Sequence, residues 1–264
     1  EILIGLVGSE MCIRDRYGYM NRGEHEGEVG VGIYYFDVER NLIQEKAFIP
    51  SKKSYAIAAD ELGKMVYYNH AEEQLYVLAD GTLYQVDLKK NKQTTLAENL
   101  KEGQYAVSGD GHLMAYESEG NKKGGTEIQV MNLSSLETNT VEAASGEKIS
   151  PLGFVNGDFI YGKMKSEDAG KKASGESITP MYELEIRNSK NKKVASYSFV
   201  DKGIYISDIL IDDNMVTLNR VEKSGDIYNV TSQEFITNNE ERKDTAIKTC
   251  LLYTSPSPRD RSVS

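Results

Sequence analysis

The chain has 264 residues, of which 31 are Lys or Arg and 41 Asp or Glu, so its net charge is −10. An acidic surface of this kind repels phosphate backbones and argues against nucleic-acid binding. The only cysteines, Cys12 and Cys250, lie near opposite ends, so the long interior carries no disulfide, thiol nucleophile or Cys-ligated zinc.

The two ends share an unusual property. Codons permitted for residues 250–260 (CLLYTSPSPRD), read on the opposite strand in a shifted frame, encode LVGSEMCIRD, which is the run at residues 6–15. Two unrelated peptides have no reason to encode one DNA sequence on opposite strands, and that DNA resembles the transposon-derived adapter of sequencing libraries. Residues 1–16 and 250–264 are therefore read as translated adapter and set aside from fold reasoning. The opening run EILIGLVG lacks a basic flank and is too short to span a bilayer. The ends hold four basic and four acidic residues, so residues 17–249 keep the balance of −10.

Taken in order, the elements are short and extended. Residues 17–21, 30–38 (GVGIYYFDV) and 42–49 read as strands, the last stopped by Pro50. Residues 55–59, 65–69 (MVYYN), 75–78, 83–88 (LYQVDL) and 94–97 follow, with a turn on Asp80-Gly81. Next come 105–108, a turn on Gly109-Asp110-Gly111, then 113–118, 127–133 and 138–143. Apolar and polar residues alternate in each run, as in half-buried strands, and the Asp-Gly pairs are hairpin turns. Residues 149–155 turn on Asn156-Gly157 into 159–163; a Lys/Gly/Ser-rich loop covers 165–179, and strands resume at 182–186 and 194–200. Residues 204–211, 215–221 and 227–231 close the series, followed by a charged tail at 238–248. No stretch sustains a 3.6-residue apolar period, so long helices are not expected.

Matched positions Asp37, Asp87, Asn132 and Arg187 recur at intervals of 50, 45 and 55 residues. A period of about 40–50 residues with about four strands per unit is the pattern of a β-propeller blade. A sandwich, barrel or solenoid also has closely spaced strands but does not require five matched units. The expected fold is all-β: a β-propeller fragment of about five four-stranded antiparallel blades forming an incomplete ring. The blades fall at approximately 17–54, 55–100, 101–146, 147–201 and 202–249. Here SGDGHLMAYES (residues 108–118) with TEIQVMNLSS (126–135), half-repeated by TLYQVDL (82–88), resembles the repeat of bacterial TolB-type, WD40-like propellers. Gly109 stands where that repeat carries proline. The resemblance implies a bacterial, envelope-associated binding domain, and it carries no functional residue across.

The residues that invite a chemical reading are each better explained as structure. His25 lies in GEHEGE beside Glu24, Glu26 and Glu28, but a glycine-flanked acidic loop offers no rigid ligand set and is expected to be solvated. His70 and His112 fall at equivalent hairpin turns, roughly one blade apart. Asp201, Asp208, Asp212 and Asp213 lack the spacing of a calcium loop and suit turns and caps. Lys122-Lys123-Gly124-Gly125 has the composition of a phosphate loop but opens a strand, not a helix. No G-x-S-x-G pentapeptide occurs. In the pairs Tyr34-Tyr35 and Tyr67-Tyr68, neighbours face opposite sides of a strand, so one of each is expected in the inter-blade core.

The sequence thus gives no catalytic residue, no cofactor-binding residue, no metal ligand and no cofactor. It reads as a non-enzymatic binding or scaffold domain with a protein or peptide partner and no membrane span. The loop at 165–179 is its most individual insertion. Two alternatives stand beside it: the propeller domain of a prolyl-oligopeptidase-like peptidase, and a propeller enzyme acting on sugars or lactones.

Overall fold

The computed structural model describes residues 2–8, 11–19, 24–37, 40–51, 53, 65–118, 125–212 and 214–237, the first two segments through their backbone. The expected strand at 55–59, the loop residues 122–124, Asp213 and the tail at 238–248 lie outside the described residues. Among those described there is no α-helix; two single 3₁₀ turns are the only helical geometry.

The strands group in chain order. The first sheet is β1 (Ile2–Gly8), β2 (Met11–Tyr19), β3 (Val29–Asp37) and β4 (Leu42–Pro50). The second is β5 (Val66–Asn69), β6 (Gln74–Ala79), β7 (Thr82–Asp87) and β8 (Lys92–Ala97). The third is β9 (Tyr105–Val107), β10 (Leu113–Glu117), β11 (Glu127–Asn132) and β12 (Thr138–Glu142). Each is an antiparallel meander in which the fourth strand pairs with the third. β1 and residues 11–16 of β2 belong to the run 1–16 that was set aside on sequence grounds. Their backbones pair onto β3, filling an edge that would otherwise leave ladder hydrogen bonds unmade.

The fourth unit is β13 (Glu147–Val155), β14 (Asp158–Lys165), β17 (Met181–Arg187) and β18 (Lys193–Ser198), again a meander. The fifth is built on β19 (Ile204–Asp212) and β20 (Met215–Ser224), whose partner strand is split into β21 (Ile227–Val230) and β22 (Glu234–Thr237). Met181 of β17 pairs with Ile206 of β19 and joins the fourth and fifth units into one sheet.

Turn chemistry fixes the registers. Asp80-Gly81 (φ 53° and 70°) and Asn156-Gly157 (φ 50° and 84°) make the two-residue left-handed turns that match strand twist. The Ser108–Gly111 turn locks through its side chains: Ser108 Oγ lies 2.6 Å from Asp110 Oδ1 and accepts from the Leu113 amide at 2.9 Å. Such Asx and Ser bonds supply backbone partners that the turn itself lacks.

Packing explains why the strands alternate on both faces. On β6, Leu75, Val77 and Ala79 join Val31, Ile33 and Ile49 of the first sheet. The intervening Tyr76 and Leu78 join Met114, Tyr116 and Leu133 of the third. Ala115, Ile128 and Val141 meet Ile149, Phe159 and Tyr161, and Ile160, Leu184 and Ile186 meet Ile206, Val216 and Leu218. Each sheet therefore covers the apolar face of the next, at about 1.5–3 kcal/mol for each large side chain buried. Among the described residues no apolar cluster links the first sheet to the fifth, and the array is an incomplete β-propeller.

The insertion is where the structure departs from expectation. The segment at 165–179 is folded: a 3₁₀ turn (Ser166–Asp168), then β15 (Gly170–Lys172) and β16 (Ser177–Ile178) as a hairpin. β15 pairs in parallel with β21 through Lys171–Ile227 and Lys172–Tyr228. An insertion of the fourth unit thus supplies an outer strand to the fifth.

Candidate functional site

The hairpin is held to the fifth sheet by one buried acid. Asp168, 9% exposed, accepts from Tyr205 Oη at 3.0 Å and pairs with Lys223 Nζ at 3.3 Å, while its carbonyl accepts from Tyr228 Oη at 2.7 Å. The two tyrosine rings meet edge to face, 5.5 Å between centroids, and Lys223 Nζ lies 5.8 and 5.7 Å from them. Burial, and then the Asp168 bond, push the Tyr205 hydroxyl up from its ordinary value. Gly170 is required next to this anchor, because a Cβ there would stand 2.7 Å from the Tyr228 ring and 2.9 Å from the Asp226 carbonyl.

The hairpin and the turn that opens β21 together line an open groove of about 550 Å³. Lys171, Ser177, Thr179 and Asp226 give it polar groups, and Ile178 and Ile227 give it apolar wall. That volume falls in the range of ligand clefts. The groove lies on the rim formed by the second-to-third strand connections of each sheet. The opposite rim has a tighter cavity of about 40 Å³ between the third and fourth sheets, with room for no more than a few waters. It is closed by Asn139 Nδ2 donating to the Ser189 carbonyl (3.2 Å) and Asn191 Nδ2 to the Thr140 carbonyl (3.0 Å).

Beside that small cavity lies the densest charged cluster among the described residues. Glu185 is 2% exposed and accepts from Lys163 Nζ at 2.6 Å and Arg187 Nε at 2.8 Å. Glu183 takes Lys163 at 3.2 Å and Lys193 at 3.4 Å. Burial raises the Glu185 carboxyl, but hydrogen bonds from Lys163, Tyr161 and Arg187 outweigh it and hold the group at about 2. Burial together with Glu185 pushes the Tyr161 hydroxyl up to about 12. Each charge here is matched by a neighbour on β14, β17 or β18, which suits a structural network within the fourth sheet and leaves no basic oxygen for proton transfer.

The residues weighed from sequence are dispersed. His25 is docked, in contrast to the solvated loop expected of it: the ring stacks on Phe48 at 4.0 Å, with Glu28 3.3 Å from Nδ1 and Glu45 2.9 Å from Nε2. The carboxylates flank opposite nitrogens and so do not converge on a point. Glu24 and Glu26 are exposed. His70 is exposed and tilted against Tyr68, and His112 pairs with Asp110 in its turn. Asp208 and Asp212 are exposed on β19, about 13 Å apart by strand rise, and Asp201 sits in the 3₁₀ turn Val200–Lys202. Among the described residues no three His, Cys, Asp or Glu are placed to hold a metal ion. Tyr67 and Tyr68 split as a strand requires: Tyr68 packs toward the first sheet and Tyr67 toward the third, its hydroxyl bonded to Ser134.

Two buried polar side chains that tie neighbouring sheets together escaped the sequence reading. Asp168 looked like one more polar loop residue. Asn69, 3% exposed, donates through Nδ2 to the Leu133 and Ser134 carbonyls of the third sheet (2.8 and 2.9 Å) and accepts from the Ala71 and Glu72 amides. Only a polar residue ending an apolar strand, in VYYN, hinted at it.

Neither a family model nor a curated protein matches the chain. Solved structures do. Porphyromonas gingivalis dipeptidyl peptidase 4 aligns with 80% of this chain and 41% of its own at 9% identity and a TM-score of 0.29. The tricorn protease aligns with 83% and 23%, at 10% and 0.38. A chain of the mitotic checkpoint complex aligns with 84% and 73%, at 8% and 0.28. The chain thus spans less than half the length of either peptidase. No helix among the described residues is long and apolar enough to cross a membrane.

Proposed function

We propose that this chain is a non-enzymatic binding and scaffold module that holds a peptide or protein segment at the rim carrying the β15–β16 hairpin. The observation that carries the reading is the hairpin itself. It is an insertion fixed by a buried Asp168 and beside an open groove with both polar and apolar wall. Anchored loops on a rigid sheet array are the usual way such folds present a binding surface. The self-neutralised Glu185 network supports a binding role over a catalytic one. The finer assignment, a TolB-type propeller of the bacterial envelope, rests on the sequence resemblance of residues 108–118 and 126–135, half-repeated at 82–88.

The test is selection of a displayed random peptide library against the full chain. It is repeated on a variant in which residues 171–177 are replaced by a Gly/Ser segment of equal length. Peptides enriched on the native chain are expected to bind the variant at least tenfold more weakly. Equal binding to both, or cleavage of the selected peptides by the native chain, would refute the reading.

A further inference from the structure

The hairpin and β21 form a three-stranded patch at the groove, and its register sets three different chemistries in one row. Lys171 of β15 pairs with Ser177 of β16 on one side and with Ile227 of β21 on the other. Paired residues point to the same face of a sheet, so a hydroxyl, an ammonium and an aliphatic side chain stand side by side across three strands. All three are exposed, and all three line the groove. Their sequence neighbours point the other way: Tyr228 is buried, and Ile178 packs with it against Tyr205 and Val221.

The backbone under this row is fixed. The Lys172 amide donates to the Glu176 carbonyl and the Gly175 amide to the Lys172 carbonyl, both at 2.8 Å. The Lys171 amide donates to the Asp226 carbonyl at 3.1 Å, and Asp168 anchors the base of the hairpin. Charge is spread unevenly over the frame. Asp168 is neutralised by Lys223, and Glu176 by Lys172 at 2.9 Å. The side chains of Lys171 and Asp226, by contrast, have no ion pair or hydrogen bond among the described residues, and both line the groove. Residues 165–179 carry Lys165, Lys171 and Lys172 against Glu167, Asp168 and Glu176, a balance of zero on a chain of −10. The repulsion that the chain as a whole exerts on an anion is therefore relieved at Lys171.

We infer that the groove takes an extended peptide segment bearing one acidic side chain and, two residues on, an aliphatic one. The carboxylate sits on the Lys171 ammonium and accepts from the Ser177 hydroxyl, while the aliphatic side chain packs on Ile227. The inference rests on the reading of the groove as a peptide site and specifies what that peptide presents. Lys171 is the one cation among the described lining residues, which calls for a carboxylate. Asp226, the one lining acid, repels a second carboxylate and so selects a single acid over an acidic tract. Side chains two apart in an extended chain share a face at about 6.6 Å, which suits neighbouring strands about 4.8 Å apart with a long lysine on one of them. The groove is open, so the segment runs through it and the carboxylate belongs to an internal Asp or Glu.

The probes are fluorescein-labelled, C-terminally amidated Gly/Ser peptides with a central Glu-Ser-Ile, Gln-Ser-Ile or Lys-Ser-Ile, titrated against the full chain by anisotropy. The Glu peptide is expected to bind about fivefold more tightly than the Gln peptide, the upper range for an exposed ion pair, and the Lys peptide most weakly. Lys171→Met keeps the aliphatic stem; it should bring the Glu peptide down to the affinity of the Gln peptide and leave the Gln peptide unchanged. Lys171→Glu should reverse the order of the Glu and Lys peptides. Lys171 is exposed, so both variants are expected to melt as the native chain does. Equal binding of the Glu and Gln peptides, or a Glu preference that persists in Lys171→Met, would overturn the inference and leave the peptide site standing. A Gln peptide with a free C-terminal carboxylate that matches the amidated Glu peptide would overturn it too, by assigning Lys171 to chain ends. Failure of these probes together with failure of library peptides to bind at the hairpin would instead remove both readings.

Discussion

Asp168 Oδ1 lies 3.0 Å from Tyr205 Oη, so an acid from the insertion of the fourth unit is bonded to the innermost strand of the fifth. Removing the carboxylate leaves Tyr205 and Lys223 without this partner, while the Tyr228 bond to the residue-168 backbone carbonyl stays. Asp168→Ala is expected to destabilise the fold by about 2–4 kcal/mol, the usual range for breaking a buried charged network. The hairpin at 170–178 should then become the first site of limited proteolysis. Denaturant melts and timed proteolysis check both, and an unchanged cleavage pattern would mean that β15 pairing alone holds the insertion.

Glu185 predicts an acid limit. Its folded-state value of about 2 lies below the unfolded carboxylate value, so its contribution is complete above roughly pH 4.5 and lost as pH falls toward 2. The span corresponds to an effect on the order of 3 kcal/mol. Glu185→Gln should lower stability at pH 7 and flatten the decline between pH 5 and 2, measured as urea midpoints against pH. A variant with the same acid slope as the native chain would assign that slope elsewhere.

Tyr161 sets the opposite limit. Its hydroxyl value of about 12 lies above the ordinary 10, so the neutral form is favoured by folding. That stability is whole below pH 10 and disappears as pH rises toward 12. Tyr161→Phe keeps the ring contacts with Phe159, 5.7 Å between centroids. It should therefore shift the alkaline midpoint upward while costing about 1 kcal/mol or less at neutral pH. Absorbance titration of phenolate alongside circular dichroism would follow the two events together.

Much of the architecture was legible because it is written in local alternation. QLYVLADGTLYQVD announces β6, its turn and β7 without reference to anything distant, and the same holds for β9 to β11. What stayed hidden depends on non-local pairing. β15 and β16 carry Gly, Lys and Ser and read as loop, since backbone bonds to β21 and the Asp168 anchor make them strands, not their composition. β22 is four residues with one half-buried side chain, too short for periodicity to register. His25 looked solvated because Phe48 and Glu45, which dock it, lie about twenty residues away on β4. The bonds of Asn69 to residues 133 and 134 are likewise invisible from the strand that carries it.

Gly81 offers the sharpest test of the hairpin geometry. Its φ is 70°, and a Cβ there would stand 2.6 Å from the Leu100 carbonyl oxygen, which belongs to backbone and cannot swing aside. The Gly81 carbonyl also accepts from the Leu100 amide at 2.8 Å, so the turn and the crossover to the third sheet are locked together. Gly81→Ala therefore adds left-handed strain of about 1 kcal/mol to a clash that must move the residue-100 segment, and Leu100 with it out of the core shared by Tyr76 and Met114. A loss of about 2–4 kcal/mol is expected in urea unfolding. Gly109→Ala serves as control, because a Cβ at that position meets nothing within 4 Å. Equal melts for the two variants would show that the close approach at Gly81 relaxes freely.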